Sequence, residues 1–195
     1  MIYAEIKSKI SFPGTEESNI RELDRMEDLL TSNVFGVLKN LDASCWSSLL
    51  PEEVLEDFGK SERNVDFWNR YSHDSAVSDL PNEIRLTEPD VILETTKYLV
   101  FIEVKYFCSF VKSTVRGEHQ LKREWTLGNA VANSKGKEFS LISLTPFSPS
   151  IEQEIQAVIK DQDILSRVHI RYWEDVYQTF SMIFWLRLIT CHICD

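Results

Sequence analysis

Two short apolar runs, separated by four polar or charged residues, form the most regular pattern in the chain. They stand in the stretch TEPDVILETTKYLVFIEVK, which covers residues 87–105. The first run, residues 91–93, follows Pro89 and Asp90. The second, residues 98–104, is rich in β-branched and aromatic residues and contains neither glycine nor proline. This pattern predicts two consecutive β-strands joined by a tight turn, and the second strand is expected to be central in its sheet.

The second predicted strand changes character at its end. Side chains alternate between the two faces of a strand. One face stays apolar to Val104. The other face begins with the apolar residues Leu99 and Phe101 and ends with the charged residues Glu103 and Lys105. Burying either charge alone costs several kcal/mol unless the charge is paired or bound to a metal ion. Asp90, at the start of the neighbouring strand, can reach the same point.

The rest of the chain alternates between helical and strand periodicity. Apolar residues at three- and four-residue spacing predict helices, and β-rich runs predict strands. The predicted helices cover residues 20–41 with a break near 31–33, then 51–59, 117–132, 151–161 with Ser150 as its cap, and 174–189. The predicted strands cover residues 2–12, 83–86, 138–144 and 168–173. This order predicts an α/β domain whose sheet is flanked by helices.

The length and composition are typical of one soluble domain. The chain has 195 residues, of which 43% are apolar, and this is enough for a full core. The first ten residues lack the apolar run of a signal peptide. The apolar stretch 180–194 is interrupted by Arg187 and is too short to span a membrane. We expect a cytoplasmic protein without a membrane span, and a homodimer formed through this last helix.

Cysteine spacing does not predict a zinc site. Cys191 and Cys194 have the spacing of half a zinc knuckle, but the sequence contains no second pair of ligands to complete four. In a chain without a secretory signal, these cysteines, Cys45 and Cys108 are expected to be reduced thiols.

The charge of the chain is unevenly distributed. The net charge is −10, which argues against a protein that coats nucleic acid non-specifically. Residues 105–137, however, contain seven basic residues against two acidic ones. Such a segment is either a solvated helix face or a basic face beside the charged strand end. The residues expected to contact nucleic acid are Lys112, Arg116, Lys122 and Arg123.

Pro89-Asp90 followed by Glu103-Val104-Lys105 resembles the motif of the PD-(D/E)xK nucleases, the restriction-endonuclease-like superfamily. The resemblance implies that Asp90 and Glu103 hold a divalent metal, Mg²⁺ with Mn²⁺ as a substitute, and that Lys105 assists the attacking water. The motif is short, and a solvated strand end with an ion pair between Glu103 and Lys105 would carry the same letters.

Two helices extend this resemblance. The stretch RMEDLLTSNVFG resembles the first helix of a prokaryotic branch of the superfamily, which implies that Glu27 points at the metal, with Asp28 and Glu22 as weaker options. The stretch QLKRE resembles a later helix of that branch, which implies that Gln120 holds a water or phosphate oxygen. Without the resemblance, Glu27 and Gln120 would be interpreted as surface residues of their helices.

The resemblance implies one domain over residues 1–195, with an αβββαβ core and an insertion at about 42–80. Within that insertion, Trp68 and Tyr71 are expected in the core rather than stacked on a base. The expected function is metal-dependent hydrolysis of phosphodiester bonds, most simply by a DNA endonuclease, with RNA as the other substrate left open. The alternatives are a non-catalytic nucleic-acid-binding or scaffold protein on the same fold and a metal-independent interaction protein. No nucleic-acid reading motif is present, so specificity is expected from a partner protein or from the structure of the substrate.

Overall fold

The computed structural model describes residues 19–71, 74–106, 119–158, 165 and 167–182. The N-terminal strand predicted at residues 2–12 lies outside this part of the chain. So do Cys108, Lys112, Arg116 and the Cys191–Cys194 pair, and the second half of the predicted last helix.

The described residues contain six helices and five strands. The helices are α1 (Asn19–Leu38), α2 (Glu52–Lys60), the one-turn α3 (Asn82–Arg85), α4 (Gln120–Ser134), α5 (Pro149–Val158) and α6 (residues 173–182). The strands are β1 (Asn64–Phe67), β2 (Val91–Glu94), β3 (Tyr98–Val104), β4 (Glu138–Thr145) and β5 (Val168–Tyr172). Two short 3₁₀ turns, Ala43–Trp46 and Ser75–Val77, complete the secondary structure. None of the described helices is both long and apolar enough to cross a membrane.

The strands form one mixed sheet in the order β1-β2-β3-β4-β5. The first three are antiparallel neighbours, whereas β4 and β5 continue parallel to β3. Strand β3 is therefore central, as predicted. The turn between β2 and β3 is closed by a hydrogen bond from Thr95 N to Tyr98 O (2.9 Å).

Helices cover both faces of the sheet. On one face, Val100, Ile102 and Val104 of β3 pack with apolar residues of α1, α2 and α6. On the other face, Leu99 and Phe101 pack with apolar residues of α3, α4 and α5. This alternation confirms that both faces of β3 are buried. The molecule is an α/β protein with a five-stranded mixed sheet flanked by helices.

The contact between α4 and β4 is unusually close at Gly128. A Cβ atom added there would lie 2.1 Å from the ring of Phe139. Only glycine lets the helix backbone approach this ring, which packs in the core on the α4 side of the sheet.

Several predicted elements differ from the observed ones. Helix α1 is continuous through residues 31–33 because Phe35 and Leu38 pack into the core beyond this point. Residues 83–86 form no strand, because Pro81 begins a helical turn that buries Ile84. The strand that pairs with β2 is instead β1, which lies within the predicted insertion. Ser150 lies inside α5 rather than capping it, since the helix already begins at a proline.

Candidate active site

Five side chains singled out by the sequence lie together at the carboxyl end of β3. They are Glu27 of α1, Asp90 before β2, Glu103 of β3, Lys105 just after β3, and Gln120, the first residue of α4. Direct contacts run from Glu27 to Lys105, from Lys105 to Glu103, and from Glu103 to Gln120. Asp90 joins through the backbone N–H of Val104, which lies between Glu103 and Lys105. Residues up to 93 positions apart in sequence thus form one cluster, from Glu27 to Gln120.

The carboxylate of Asp90 is held on both oxygens. Val104 N donates to Oδ2 at 2.8 Å, and Trp68 Nε1 donates to Oδ1 at 3.2 Å. The backbone N–H of Trp68 also donates to the Asp90 carbonyl at 3.2 Å. Trp68 adopts a φ of 47°, a left-handed conformation that costs energy for a bulky residue. The indole is 4% exposed, so Trp68 belongs to the core, as Tyr71 does, and also fixes Asp90.

Glu103 is the most enclosed acid that the motif predicts, with 1% of its side chain exposed. Its Oε1 contacts Lys105 Nζ at 2.5 Å and accepts a hydrogen bond from Gln120 Nε2. Its Oε2 is buried and has no hydrogen-bond donor. Burial, together with the nearby carboxyl groups of Asp90 and Glu124, raises the pKa of Glu103 well above its ordinary value.

Lys105 is anchored by its backbone and paired through its side chain. Its N–H donates to Leu144 O of β4 at 2.8 Å, and its carbonyl accepts a hydrogen bond from Trp173 Nε1 at 3.0 Å. The side chain is 12% exposed and bridges Glu103 and Glu27. Burial alone would lower the pKa of Lys105, but the surrounding acids outweigh burial and raise it above its ordinary value. Lys105 is therefore a cation at neutral pH.

Glu27 contacts the end of β3 from the opposite side of the sheet. Its Oε2 accepts a hydrogen bond from Tyr106 N at 2.7 Å, and its Oε1 lies 3.3 Å from Lys105 Nζ. Burial raises the pKa of Glu27, although Lys105 and the Tyr106 N–H partly oppose this. Asp28, the neighbouring acid, makes other contacts, and the side chain of Glu22 lies outside the described part of the structure.

Sequence reasoning missed Glu124. It lies one helical turn after Gln120, is completely buried, and accepts a hydrogen bond on Oε1 from Gln120 Nε2 at 3.0 Å. Its carboxyl group is also within hydrogen-bonding reach of Glu103. Burial raises the pKa of Glu124 to about 7. The available signal was a charged residue within the apolar stripe of α4, four positions after a candidate site residue.

The basic segment does not form a single face. Lys122 is exposed, as expected of a residue that contacts nucleic acid. Arg123 is only 7% exposed, because it lies on the packed side of α4 beside Glu124, so its predicted surface position is wrong. Lys135 and Lys137 pair with Glu94 at the opposite end of the central strands.

The donor set at the end of β3 suits a hard divalent cation. Carboxylate oxygens are the ligands that Mg²⁺ prefers, and the buried, donor-free Oε2 of Glu103 offers such an oxygen. Among the described residues, no three Asp, Glu, His or Cys side chains already stand as a metal-binding group.

A comparison of the chain with protein-family models, curated proteins and solved structures found no match. The case for this site therefore rests on its own geometry, and above all on the convergence of residues that the sequence motif had named beforehand.

Proposed function

We propose that this protein is a metal-dependent nuclease that hydrolyses phosphodiester bonds in nucleic acid, most simply DNA. One observation carries the proposal: Asp90, Glu103 and Lys105 meet at the end of the central strand, with Glu27 and Gln120 in contact with them. A chance match to a short motif gives no reason for residues on two distant helices to join it.

The fold gives further support. The order α1, β1, β2, β3, α4, β4 resembles the αβββαβ core of the restriction-endonuclease-like superfamily, with α2 and α3 as additions. Three antiparallel strands followed by a parallel β4 set the acids of the motif on adjacent strands. With Val91 opposite Ile102, the register extends to Asp90 opposite Glu103.

In this proposal Asp90 and Glu103 hold the cation, with Glu27 as the third acid that the resemblance implies. Bound Mg²⁺ would supply polarisation of a phosphoryl oxygen and a water molecule of lowered pKa. The two N–H donors on Asp90 orient that carboxylate. Gln120 fixes the rotamer of Glu103 through its amide.

Lys105 supplies the positive charge of the site. Because its pKa is raised, it acts as a hydrogen-bond donor and a cation rather than as a base. An ammonium group beside the acids can orient the attacking water and stabilise the charge that develops on the phosphate. Glu27 holds this ammonium group at the strand end from the far side.

The test is cleavage of supercoiled plasmid, single-stranded DNA and RNA with Mg²⁺ or Mn²⁺. We expect Asp90→Ala and Lys105→Met each to lose about 10²-fold or more in rate, the size of effect seen when one transition-state contact is removed. Lys135→Met is the matched control, since Lys135 also pairs with a glutamate, Glu94, but far from the site. Asp79→Ala controls for loss of an exposed acid. Wild-type rates in Asp90→Ala or Lys105→Met would refute the site.

A non-catalytic binding protein is the second candidate, and one feature favours it. An apolar groove of about 840 Å³ lies between α1 and α6, beside the cluster, and includes Val37, Tyr106, Trp173 and Tyr177. A groove of this kind suits a protein partner. This candidate requires no divalent cation, so a wild-type protein that neither binds Mn²⁺ nor cleaves any of the three substrates would favour it.

A further inference from the structure

Three buried oxygen atoms without a hydrogen-bond donor belong to Glu103 and to two residues near it. They are Glu103 Oε2, Glu124 Oε2 and Ser143 Oγ. Ser143 of β4 stands directly opposite Glu103 in the parallel β3–β4 register, so the two side chains share a face. Glu124 reaches the same face from α4. Buried polar atoms nearly always have partners, so donor-free oxygens on two acids within hydrogen-bonding reach of each other indicate that a cation or a proton lies between them.

Gln120 arranges the two carboxyl groups. Its Nε2 donates both to Glu103 Oε1 and to Glu124 Oε1. One oxygen of each acid is therefore held by the same amide, while the other oxygen of each is left without a donor. The acids are 1% and 0% exposed. Two ionised carboxylates in contact in such a place repel each other strongly unless a cation or a proton lies between them.

We infer that Glu124 is a metal ligand, and that Glu103 and Glu124 hold one divalent cation, Mg²⁺ or Mn²⁺, through their donor-free oxygens. This inference rests on the proposed function and deepens it, because it keeps Asp90 and Glu103 and replaces Glu27 by Glu124 as the third acid of the site. Mg²⁺ is usually bound in proteins by one or two carboxylates, with water and phosphate oxygens completing its shell.

The contacts of Glu27 differ from those of Glu103 and Glu124. Both of its oxygens already have partners, the N–H of Tyr106 and the ammonium group of Lys105. Glu103 contacts the same ammonium group through Oε1 alone and keeps Oε2 without a donor, whereas neither oxygen of Glu27 is without one. Glu124 accepts a hydrogen bond on Oε1 from the neutral amide of Gln120, and its Oε2 has no donor. Glu27 thus pairs with Lys105, whereas Glu124 binds the cation.

The experiment measures Mn²⁺ binding to the full-length protein by calorimetry and by the electron paramagnetic resonance signal of free Mn²⁺. The variants are Glu103→Gln, Glu124→Gln and, for comparison, Glu27→Gln, with Glu94→Gln as the control because Glu94 pairs with Lys135 and Lys137 away from the site. We expect the first two to weaken Mn²⁺ affinity by about 100-fold or more and Glu27→Gln to weaken it by no more than about tenfold, the lower end of the effect of a supporting residue. Mn²⁺ should raise the melting temperature of wild type but not of Glu124→Gln.

Glu124→Asp keeps the inference testable if Glu124→Gln does not fold, since a shorter carboxylate should retain the fold and bind Mn²⁺ at reduced affinity. Wild-type affinity in Glu124→Gln, with binding lost in Glu103→Gln, would overturn the inference and assign a shared proton to the pair. A larger loss in Glu27→Gln than in Glu124→Gln would overturn it as well. Wild-type protein that neither binds Mn²⁺ nor cleaves nucleic acid would overturn the proposed function itself, which distinguishes the two failures.

Discussion

The hydrogen bond from Trp68 to Asp90 gives a sharp test of how the site is held. Trp68→Phe keeps an aromatic side chain in the core and removes the indole N–H that donates to Asp90 Oδ1 at 3.2 Å. Trp46→Phe is the matched control, because Trp46 is also buried and its indole donates to a neutral acceptor, Leu38 O, at 3.1 Å. Both substitutions leave a similar void, so the difference between their losses of stability measures the effect of the charged acceptor.

The expected difference in stability follows from the charge of the two hydrogen-bond acceptors. A hydrogen bond to a charged group contributes about 1.5–3 kcal/mol, and one to a neutral group about 0.5–1.5 kcal/mol. Trp68→Phe should therefore lower the free energy of unfolding by about 1 kcal/mol more than Trp46→Phe. A double-mutant cycle with Asp90→Ala should give a coupling energy of at least about 1 kcal/mol between Trp68 and Asp90.

The assay is urea unfolding of the four single and double variants in EDTA, followed by cleavage rates with Mn²⁺. Trp68→Phe should lower the cleavage rate about tenfold or more, as expected for a residue that orients a ligand, whereas Trp46→Phe should not. Coupling below about 0.5 kcal/mol, the scatter of independent sites, would refute the argument that Trp68 fixes Asp90. So would equal cleavage rates in the two tryptophan variants.

Two further predictions concern stability away from the site. Gly128→Ala should destabilise the protein by about 1–3 kcal/mol, because its Cβ would lie 2.1 Å from Phe139. Gly59→Ala, at an exposed helix position, should stabilise the protein by about 0.4–1 kcal/mol. Thermal unfolding measures both changes in stability, and changes of the same sign would contradict the prediction. Burial alone would raise the pKa of Glu94, but hydrogen bonds and charge from Lys135 and Lys137 lower this pKa overall. The ionised Glu94 therefore stabilises the fold at pH values above its ordinary pKa of 4.5, and this stabilisation is lost as the pH falls through the lower pKa of the folded protein. Urea unfolding of Glu94→Gln should therefore show a smaller loss of stability in acid than wild type, and parallel curves would exclude this contribution.

The elements with strong local patterns were predictable. Strand β3 was recognisable because its β-rich residues alternate between two apolar faces until Glu103, and the same alternation indicated where the charges would meet. Strand β1 was missed because it has only four residues, with one of them exposed and one partly so. Its identity as a strand depends on pairing with β2, a contact that no local pattern encodes.

The residues of the site also differ in how well local sequence patterns predict them. Asp90, Glu103 and Lys105 lie on adjacent strand ends, so the period of a strand was enough to bring them together. Glu124 and Arg123 depend on how α4 is rotated against the sheet, and neighbouring helix positions differ by about 100° in direction. That rotation is set by packing such as Gly128 against Phe139. Hence Arg123 was predicted at the surface, although it is buried, and Glu124 was not assigned to the site.

The charge balance of the cluster gives the last reason to expect a cation. Among the residues that the structure describes, four carboxyl groups, those of Glu27, Asp90, Glu103 and Glu124, face the ammonium group of Lys105. Burial raises the pKa of three of these acids, which is how a protein without a cation would reduce the imbalance by taking up protons. A divalent cation reduces the same imbalance without protons. Metal binding should therefore release protons at neutral pH, and calorimetry in buffers of different ionisation enthalpy would detect their release. Mn²⁺ binding with no proton release would mean that the acids are already ionised, which the burial of Glu103 and Glu124 argues against.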